Sequence, residues 1–347
     1  MHFSMLDLVI DSMQSRGVPH HAKVGILLPS RDAVALGWPA RDLIDMAAEA
    51  EAVGYDSVWL GESLVARPRY EPMTMLAAIA ASTTRVALGT AVIVAPLRNP
   101  VQLAQAVASV DQISDGRVIL GVGAGPAYGP TRKEFAAVGV PFERRFARMQ
   151  ENIQLCRRLW SGEPVTFDGD FYSVRNVQLG PMPAQPGGPP VWLGAKGPVG
   201  RRIAGAAFDG WLPGPQSPGW FADGLAQARS AAATAGRGSA ACTGAVYLTV
   251  SVCADRETGR NAARAAIERY YRQPYEAVAG LHDSFLGPAD EAAAWLARYT
   301  AAGARHLVVR LLGGGLRPQM RELARHLTGI NQEAPKIGQP QMRQGAS

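Results

Sequence analysis

Lysine, histidine and cysteine are all scarce in this 347-residue chain, and each shortage closes off a class of function. The three cysteines, Cys156, Cys242 and Cys253, are odd in number, scattered and without C-x-x-C spacing. That pattern argues against a disulfide framework and against a zinc site. No set of His, Cys and carboxylate residues converges at ligand spacing, so no metal is expected. There is no G-x-S-x-G elbow, and no G-x-G-x-x-G opens the first helix. No apolar run approaches the ~20 residues of a membrane span. The start, Met1 to Ala22, has only a short apolar patch, broken by Asp7 and Asp11, with no small-residue cleavage site. A signal peptide is therefore not expected, and a cytoplasmic protein is. Among 35 basic residues the lysines are only Lys23, Lys133, Lys196 and Lys336. The arginines are spread along the chain, so the net charge of +6 reads as a generally basic surface rather than a nucleic-acid stripe. A basic rim would also suit a multiply anionic coenzyme.

What is present is an alternation of short apolar runs with longer helical stretches, the pattern of βαβ units and a parallel sheet. Eight runs read as strands: Lys23 to Pro29, Asp56 to Leu60, Arg85 to Val94, Arg117 to Val122, Val191 to Leu193, Asp209 to Leu212, Ala245 to Cys253 and Arg305 to Leu311. Between them Leu43, Met46, Ala47 and Ala50 share one helical face, and Asn99-Pro100 reads as an N-cap and first helical position. Further on, Phe146, Met149, Ile153, Cys156 and Trp160 share another face. Two helices are read between the last two strands. The Gly- and Pro-rich stretch 161–189 should hold a small hairpin, with Val165 to Phe167 and Phe171 to Val174 flanking Asp168-Gly169-Asp170. Eight strands alternating with helices suit a closed (β/α)8 TIM barrel better than an open doubly wound sheet. The expected organisation is an N-terminal extension over 1–22, one barrel domain over 23–330 with its insertion after the fourth helix, and a polar tail over 331–347.

In such a barrel the chemistry sits just after the strands. Glu62 and Ser63 follow the second strand; Thr90, Ala91 and Val92 lie late in the third. Gly123, Ala124, Gly125 and Tyr128 follow the fourth, and Gly194, Ala195, Lys196, Gly197 and Pro198 follow the fifth. Glycines let backbone approach a ligand, and their N–H groups can cradle an anion, though Gly121 to Gly125 reads equally as a tight turn. The GAKGP run says more: it ends a strand, opens a helix and adds a cation, which makes a phosphate seat. Its bland alternative is an ordinary loop with a solvated lysine. Glu62 could work as an acid or base, or bond a cofactor ring; equally it could pair with Arg67 or Arg69. Tyr70, Tyr128, Trp38 and Trp211 could line a pocket for a planar ligand, but each taken singly reads as packing. Of the histidines, His306 opens the last strand at the end away from the mouth, and only His282 is placed to reach it.

Three segments carry a resemblance: VGYDSVWLGE (Val53 to Glu62), the run from Thr83 to Gly125, and WLGAKGPVGRRIAGAAFDGWLP (Trp192 to Pro213). Together they resemble the luciferase-like flavin enzymes, and most of all the branch using the deazaflavin coenzyme F420. The likeness covers about Lys23 to Leu327. It implies a non-proline cis peptide at Ala91-Val92, pressing on the central ring of the coenzyme. It implies that the coenzyme phosphate sits near Gly123 to Gly125 and Gly194 to Pro198, that the 161–189 stretch folds over the mouth, and that the protein is a homodimer acting on a small molecule. Sugar-phosphate dehydrogenases of this branch carry Asp-His after the second strand, where this chain has Glu62-Ser63. They carry a glutamate after the fourth, where this chain has Pro126. Those departures argue against sugar-phosphate oxidation. The implied function is hydride transfer between F420 and another small organic substrate, with Tyr128, Glu62 or water as proton donor, since the coenzyme itself carries the hydride. An FMN-dependent monooxygenase and a non-catalytic flavin-binding protein are the alternatives.

Overall fold

Runs that are apolar on both faces need cover on both sides, and a closed parallel sheet inside a ring of helices supplies it. The computed structural model describes residues 22–327 apart from 128, 272, 275 and 277–282. Its strands are β1 (Lys23–Leu27), β2 (Ser57–Leu60), β3 (Ala87–Thr90), β4 (Ile93–Val94), β5 (Val118–Gly123), β6 (Val165–Asp168), β7 (Ser173–Val177), β8 (Val191–Leu193), β9 (Gly210–Trp211), β10 (Thr243–Val252), β11 (Ser284–Gly287) and β12 (His306–Leu311). Parallel pairing runs β12-β1-β2-β3-β5-β8-β9-β10, and β10 pairs with β12 to close the barrel. This is the (β/α)8 barrel that the alternation predicts.

The barrel has two apolar layers. Inside lie Leu27, Trp59, Trp192, Leu212, Ala245 and Val308. The larger layer joins the outer strand faces to the helices and includes the predicted Leu43, Met46, Ala47 and Ala50. Two indoles fill the interior: Trp59 and Trp192 stack with centroids 5.5 Å apart. Their bulk demands glycine opposite, since a Cβ at Gly89 would fall 2.0 Å from the Trp59 ring. Below them the Trp59 indole N–H donates to Ser57 Oγ at 2.7 Å, and Ser57 Oγ lies 2.7 Å from His306 Nε2. The serine oxygen has two acceptor sites and one proton, so this contact fits either tautomer of a neutral His306. Burial agrees, pushing the imidazole pKa down to about 3. His306 thus sits at the floor of the barrel, level with Lys23 and Ala245 and away from the mouth, as its place in the sequence predicts.

The structure departs from the sequence reading in four places. The run Arg85 to Val94 is not one strand: it is interrupted at Ala91-Val92, which is cis. The helix Ser30–Leu36 appears directly after Pro29, without a side-chain cap to announce it, and stops at Gly37 with φ 69°. The helix Gly129–Ala137 occupies part of the predicted loop, anchored by the buried Phe135. Finally, β11 adds a further parallel strand alongside the end of β10; four residues are too few to show a periodicity. The 161–189 stretch does hold an antiparallel hairpin, β6 with β7, with the second strand displaced toward Val177. The termini, where the extension and the tail are expected, lie outside the described residues, as do Tyr128 and His282. No helix among the described residues is long and apolar enough to cross a membrane.

Candidate active site

Backbone geometry brings the third, fourth and fifth strand mouths together. At the mouth, β3 and β4 flank the cis bond, and β4 pairs with β5 through Ile93 with Val122 and Val94 with Gly123. Val92 fills the space between: a Cβ at Gly123 would lie 2.9 Å from its side chain, and one at Gly194 would lie 3.0 Å from it. Those two glycines are therefore required by the close packing of Val92, whatever the ligand. Thr90 does not face the opening: it is buried, and its hydroxyl donates to the Gly121 carbonyl at 2.7 Å.

The GAKGP turn is held from behind. The Trp211 indole N–H donates to the Ala195 carbonyl at 2.7 Å, and Trp211 stacks on Phe221 at 5.5 Å. Trp211 thus shapes the turn rather than lining the opening. Gly197 is the N-cap of the helix Pro198–Ala207 and has extended backbone, with no side chain capping the first N–H groups. Those groups and the helix dipole give this end of the helix a partial positive charge. Lys196 stands at the same end; desolvation by the cleft walls holds its ammonium below the ordinary lysine range, although its surface is still exposed.

A cleft of about 890 Å³ opens between these turns. It is lined by Glu62, Ala91, Val92, Gly123 to Gly125 and Gly194 to Gly197, and so collects most of the residues predicted from sequence. Pro198, Thr90 and Ser63 are not on its wall. Contributors that the sequence reading did not place at the site include Arg145, Phe146, Leu212 and Tyr247. Tyr247 was findable, because it alternates with Ala245 and Thr249 along β10 and so faces inward with them. Arg145 had no such signal; its Nε bonds the Gly125 carbonyl at 3.2 Å only because a distant helix returns over the mouth. Tyr70 and Trp38 bind each other, hydroxyl to carbonyl at 2.9 Å, away from the cleft. Trp38 lines a second cavity, about 710 Å³, above the β12 mouth, to which none of the predicted site residues contributes.

Glu62 has neither Arg67 nor Arg69 as its partner. One carboxylate oxygen accepts from the Val94 N–H at 2.6 Å, and the other from the Arg98 guanidinium, with Nε at 2.8 Å. Arg98 in turn bonds Glu71 at 2.6 Å. Burial pushes the Glu62 carboxyl up, and Arg98 pulls it back down; the same pair holds Arg98 more firmly charged than usual. With both oxygens engaged, Glu62 ties the strand bulge to the next loop. The Ser63 hydroxyl donates to Glu134 at 2.5 Å and also accepts the Arg67 N–H, so it too serves the loop. Among the described residues, no group of three or more His, Cys, Asp or Glu is placed to hold a metal.

Comparison with known proteins agrees with this geometry. Residues 22–309 match the family model of the luciferase-like monooxygenases. The chain is similar to an F420-dependent glucose-6-phosphate dehydrogenase of Amycolatopsis mediterranei, 40% identical over 50% of this chain and 53% of the relative. It therefore spans about half the length of that curated relative. A protein of the same name from Tsukamurella paurometabola is 32% identical over 79% of this chain and 88% of the relative. Among solved structures, an F420-dependent secondary alcohol dehydrogenase in complex with an F420-acetone adduct shares the fold, with a TM-score of 0.77, 21% identity, and coverage of 89% of this chain and 99% of that one.

Proposed function

The chain belongs to the luciferase-like monooxygenase family, and from that premise we propose that it is an oxidoreductase using coenzyme F420 to exchange a hydride with a small organic substrate other than a sugar phosphate. The observation that carries this reading is the meeting of cis Ala91-Val92, the Gly123 to Gly125 turn and the Lys196 turn in one cleft. These residues fit a flat, phosphate-tailed ring. Lys196 and the first N–H groups of the Pro198–Ala207 helix would hold the phosphate. Ala91 and Val92 would back the ring, while Leu212, Tyr247 and Phe146 would exclude water from its other side. Bound there, the deazaflavin supplies the hydride. The names of the relatives also support F420 over FMN.

The protein residues then have only to orient the substrate and hold a proton. Both Glu62 oxygens already accept hydrogen bonds, which leaves the Tyr247 hydroxyl in the cleft, or Tyr128, for that task. The relatives named as glucose-6-phosphate dehydrogenases weigh against excluding sugar phosphates. On the other side stand the Glu62-Ser63 pair, engaged by Arg98 and Glu134, and Pro126, which replace the acid and base expected for alcohol oxidation.

Titrating the full-length protein with F420 and with FMN tests the cofactor: F420 should bind more tightly, and FMN binding without F420 binding would overturn the reading. Glucose 6-phosphate added with oxidised F420 should leave the visible absorbance of the coenzyme unchanged. Bleaching at a rate dependent on the sugar would return the chain to the activity named for its relatives.

A further inference from the structure

Along its β5 side the cleft runs from the barrel interior to the surface. Gly123 is buried, Gly125 is half-buried, and Pro126 and Ala127 beyond it are exposed. Arg145 is fixed at that outer lip. Its Nε donates to the Gly125 carbonyl at 3.2 Å, and its guanidinium lies over the Phe142 ring, 4.2 Å from the centre. The residue is half-buried and lines the cleft. The exposed Lys196 follows β8, which pairs with β5, so the two cations stand at the rim on neighbouring strands.

Partners set Arg145 apart from the arginines beside it. Arg132 lies over the same Phe142 ring at 4.1 Å but bonds Glu143 at 3.0 Å. Arg144 pairs with Asp170. Among the described residues, no carboxylate lies within ion-pair distance of Arg145, and Gly125 engages only its Nε–H. Glu143 is near enough to feel its charge, yet it is exposed and bonded to Arg132. Arg145 also opens the helix Arg145–Leu159, whose first turn carries no acidic residue. The positive end of a helix dipole disfavours a cation there, so the local field favours an incoming anion. A guanidinium has a planar fork of N–H donors, and with Nε used the terminal ones remain for a carboxylate or phosphate.

The Lys196 turn already accounts for the phosphate of the coenzyme. F420 carries more anions beyond it: the chain continues through lactate into glutamates, each with a free carboxylate. FMN ends at the phosphate. We propose that Arg145 binds a tail carboxylate of the coenzyme, and so selects F420 over ligands that end at the phosphate. This assignment rests on the reading of the cleft as an F420 site.

A staple that only shapes the Gly125 turn predicts a different pattern of losses. Three ligands of increasing charge separate the two roles in fluorescence titrations of the full-length protein: the bare ribityl deazaflavin, its phosphate ester, and F420 with two glutamates. Arg145→Gln should weaken F420 about tenfold and leave the other two within about twofold. Arg145→Lys, which keeps the charge without the fork, should recover part of the loss. Lys196→Ala should weaken the phosphate ester and F420 alike. Added salt should narrow the wild-type preference for F420 over the phosphate ester, and should narrow it less in Arg145→Gln. The melting temperature without ligand shows that each variant folds. If Arg145→Gln binds F420 as the wild type does, the assignment is refuted. Equal loss of all three ligands would make Arg145 a staple, and equal loss of F420 and the phosphate ester would give it to the phosphate; either result refutes the assignment while the F420 reading stands. If the wild type binds none of the three deazaflavins, the F420 reading falls and takes this assignment with it.

Discussion

Glu62 and Lys196 both stand at strand mouths, and their surroundings give them different roles. Both Glu62 carboxylate oxygens accept hydrogen bonds, one from Val94 and the other from Arg98. Replacing it with alanine leaves the guanidinium of Arg98 half-compensated by Glu71 alone, and we expect a loss of about 2–4 kcal/mol in urea unfolding. A dedicated catalytic carboxylate would instead cut turnover without moving the unfolding midpoint. Lys196 has the opposite balance, because its ammonium is partly desolvated beside a helix N-terminus. Lys196→Ala should weaken F420 binding about tenfold, with stability nearly unchanged, in a fluorescence titration. Unaltered affinity would remove the phosphate seat from this turn. The difference between the two residues was not legible in the sequence: both read as a charged side chain after a strand, and only the partner separates them. That partner, Arg98, is 36 residues from Glu62 along the chain.

Elements position the site through backbone approach. The β3–β4 interruption places Ala91 on the cleft wall and turns Val92 into the packing space between Gly123 and Gly194. Ala91→Leu should therefore fill the cleft rather than disturb the core, reducing coenzyme affinity by about tenfold or more while the unfolding free energy changes by less than ~1 kcal/mol. Normal affinity in that variant would mean that the ring lies elsewhere. Gly123→Val should act differently, because its side chain meets Val92 and the strand pairing itself; we expect poor folding, seen as a lowered melting temperature even without coenzyme. Sequence patterning foresaw the strands that build this wall, since β5 reads VILGVG and carries no polar side chain. It missed β11, the helix Ser30–Leu36 and the helix Gly129–Ala137, whose short lengths leave little periodicity to read, and whose places are set by what they pack against.

Over the whole barrel, the floor and the mouth have separate chemistry. At the floor, His306 bonds Ser57 and is too buried to take a proton until about pH 3. In the unfolded chain it protonates near the ordinary imidazole value of 6.5. The unfolded state therefore binds the extra proton first, and unfolding free energy falls as pH drops through that window, by on the order of 1.4 kcal/mol per pH unit from this residue. Above pH 6.5 the histidine adds no slope. The variant His306→Gln, whose amide can still hydrogen-bond Ser57, should flatten this part of a pH series of chemical unfolding curves. An identical slope in the variant would assign the acid sensitivity elsewhere. At the mouth, the cleft between the third, fourth and fifth strand ends is lined mostly by glycine, alanine and other apolar side chains, with Lys196 and Arg145 among its charged groups.

The amino-acid order alone determined the barrel, its eight principal strands and the two glycine-bearing turns, because periodicity, caps and turn residues are local and repeat with every βα unit. It also located the Ala91-Val92 position through the family resemblance carried by the run from Thr83 to Gly125. Only the tertiary structure decided that Glu62 belongs to Arg98, that Ser63 belongs to Glu134, and that Tyr247 and Arg145 share the cleft. Each of those facts is a meeting of segments far apart in the chain, and the distance between such segments is set by barrel closure rather than by any local pattern.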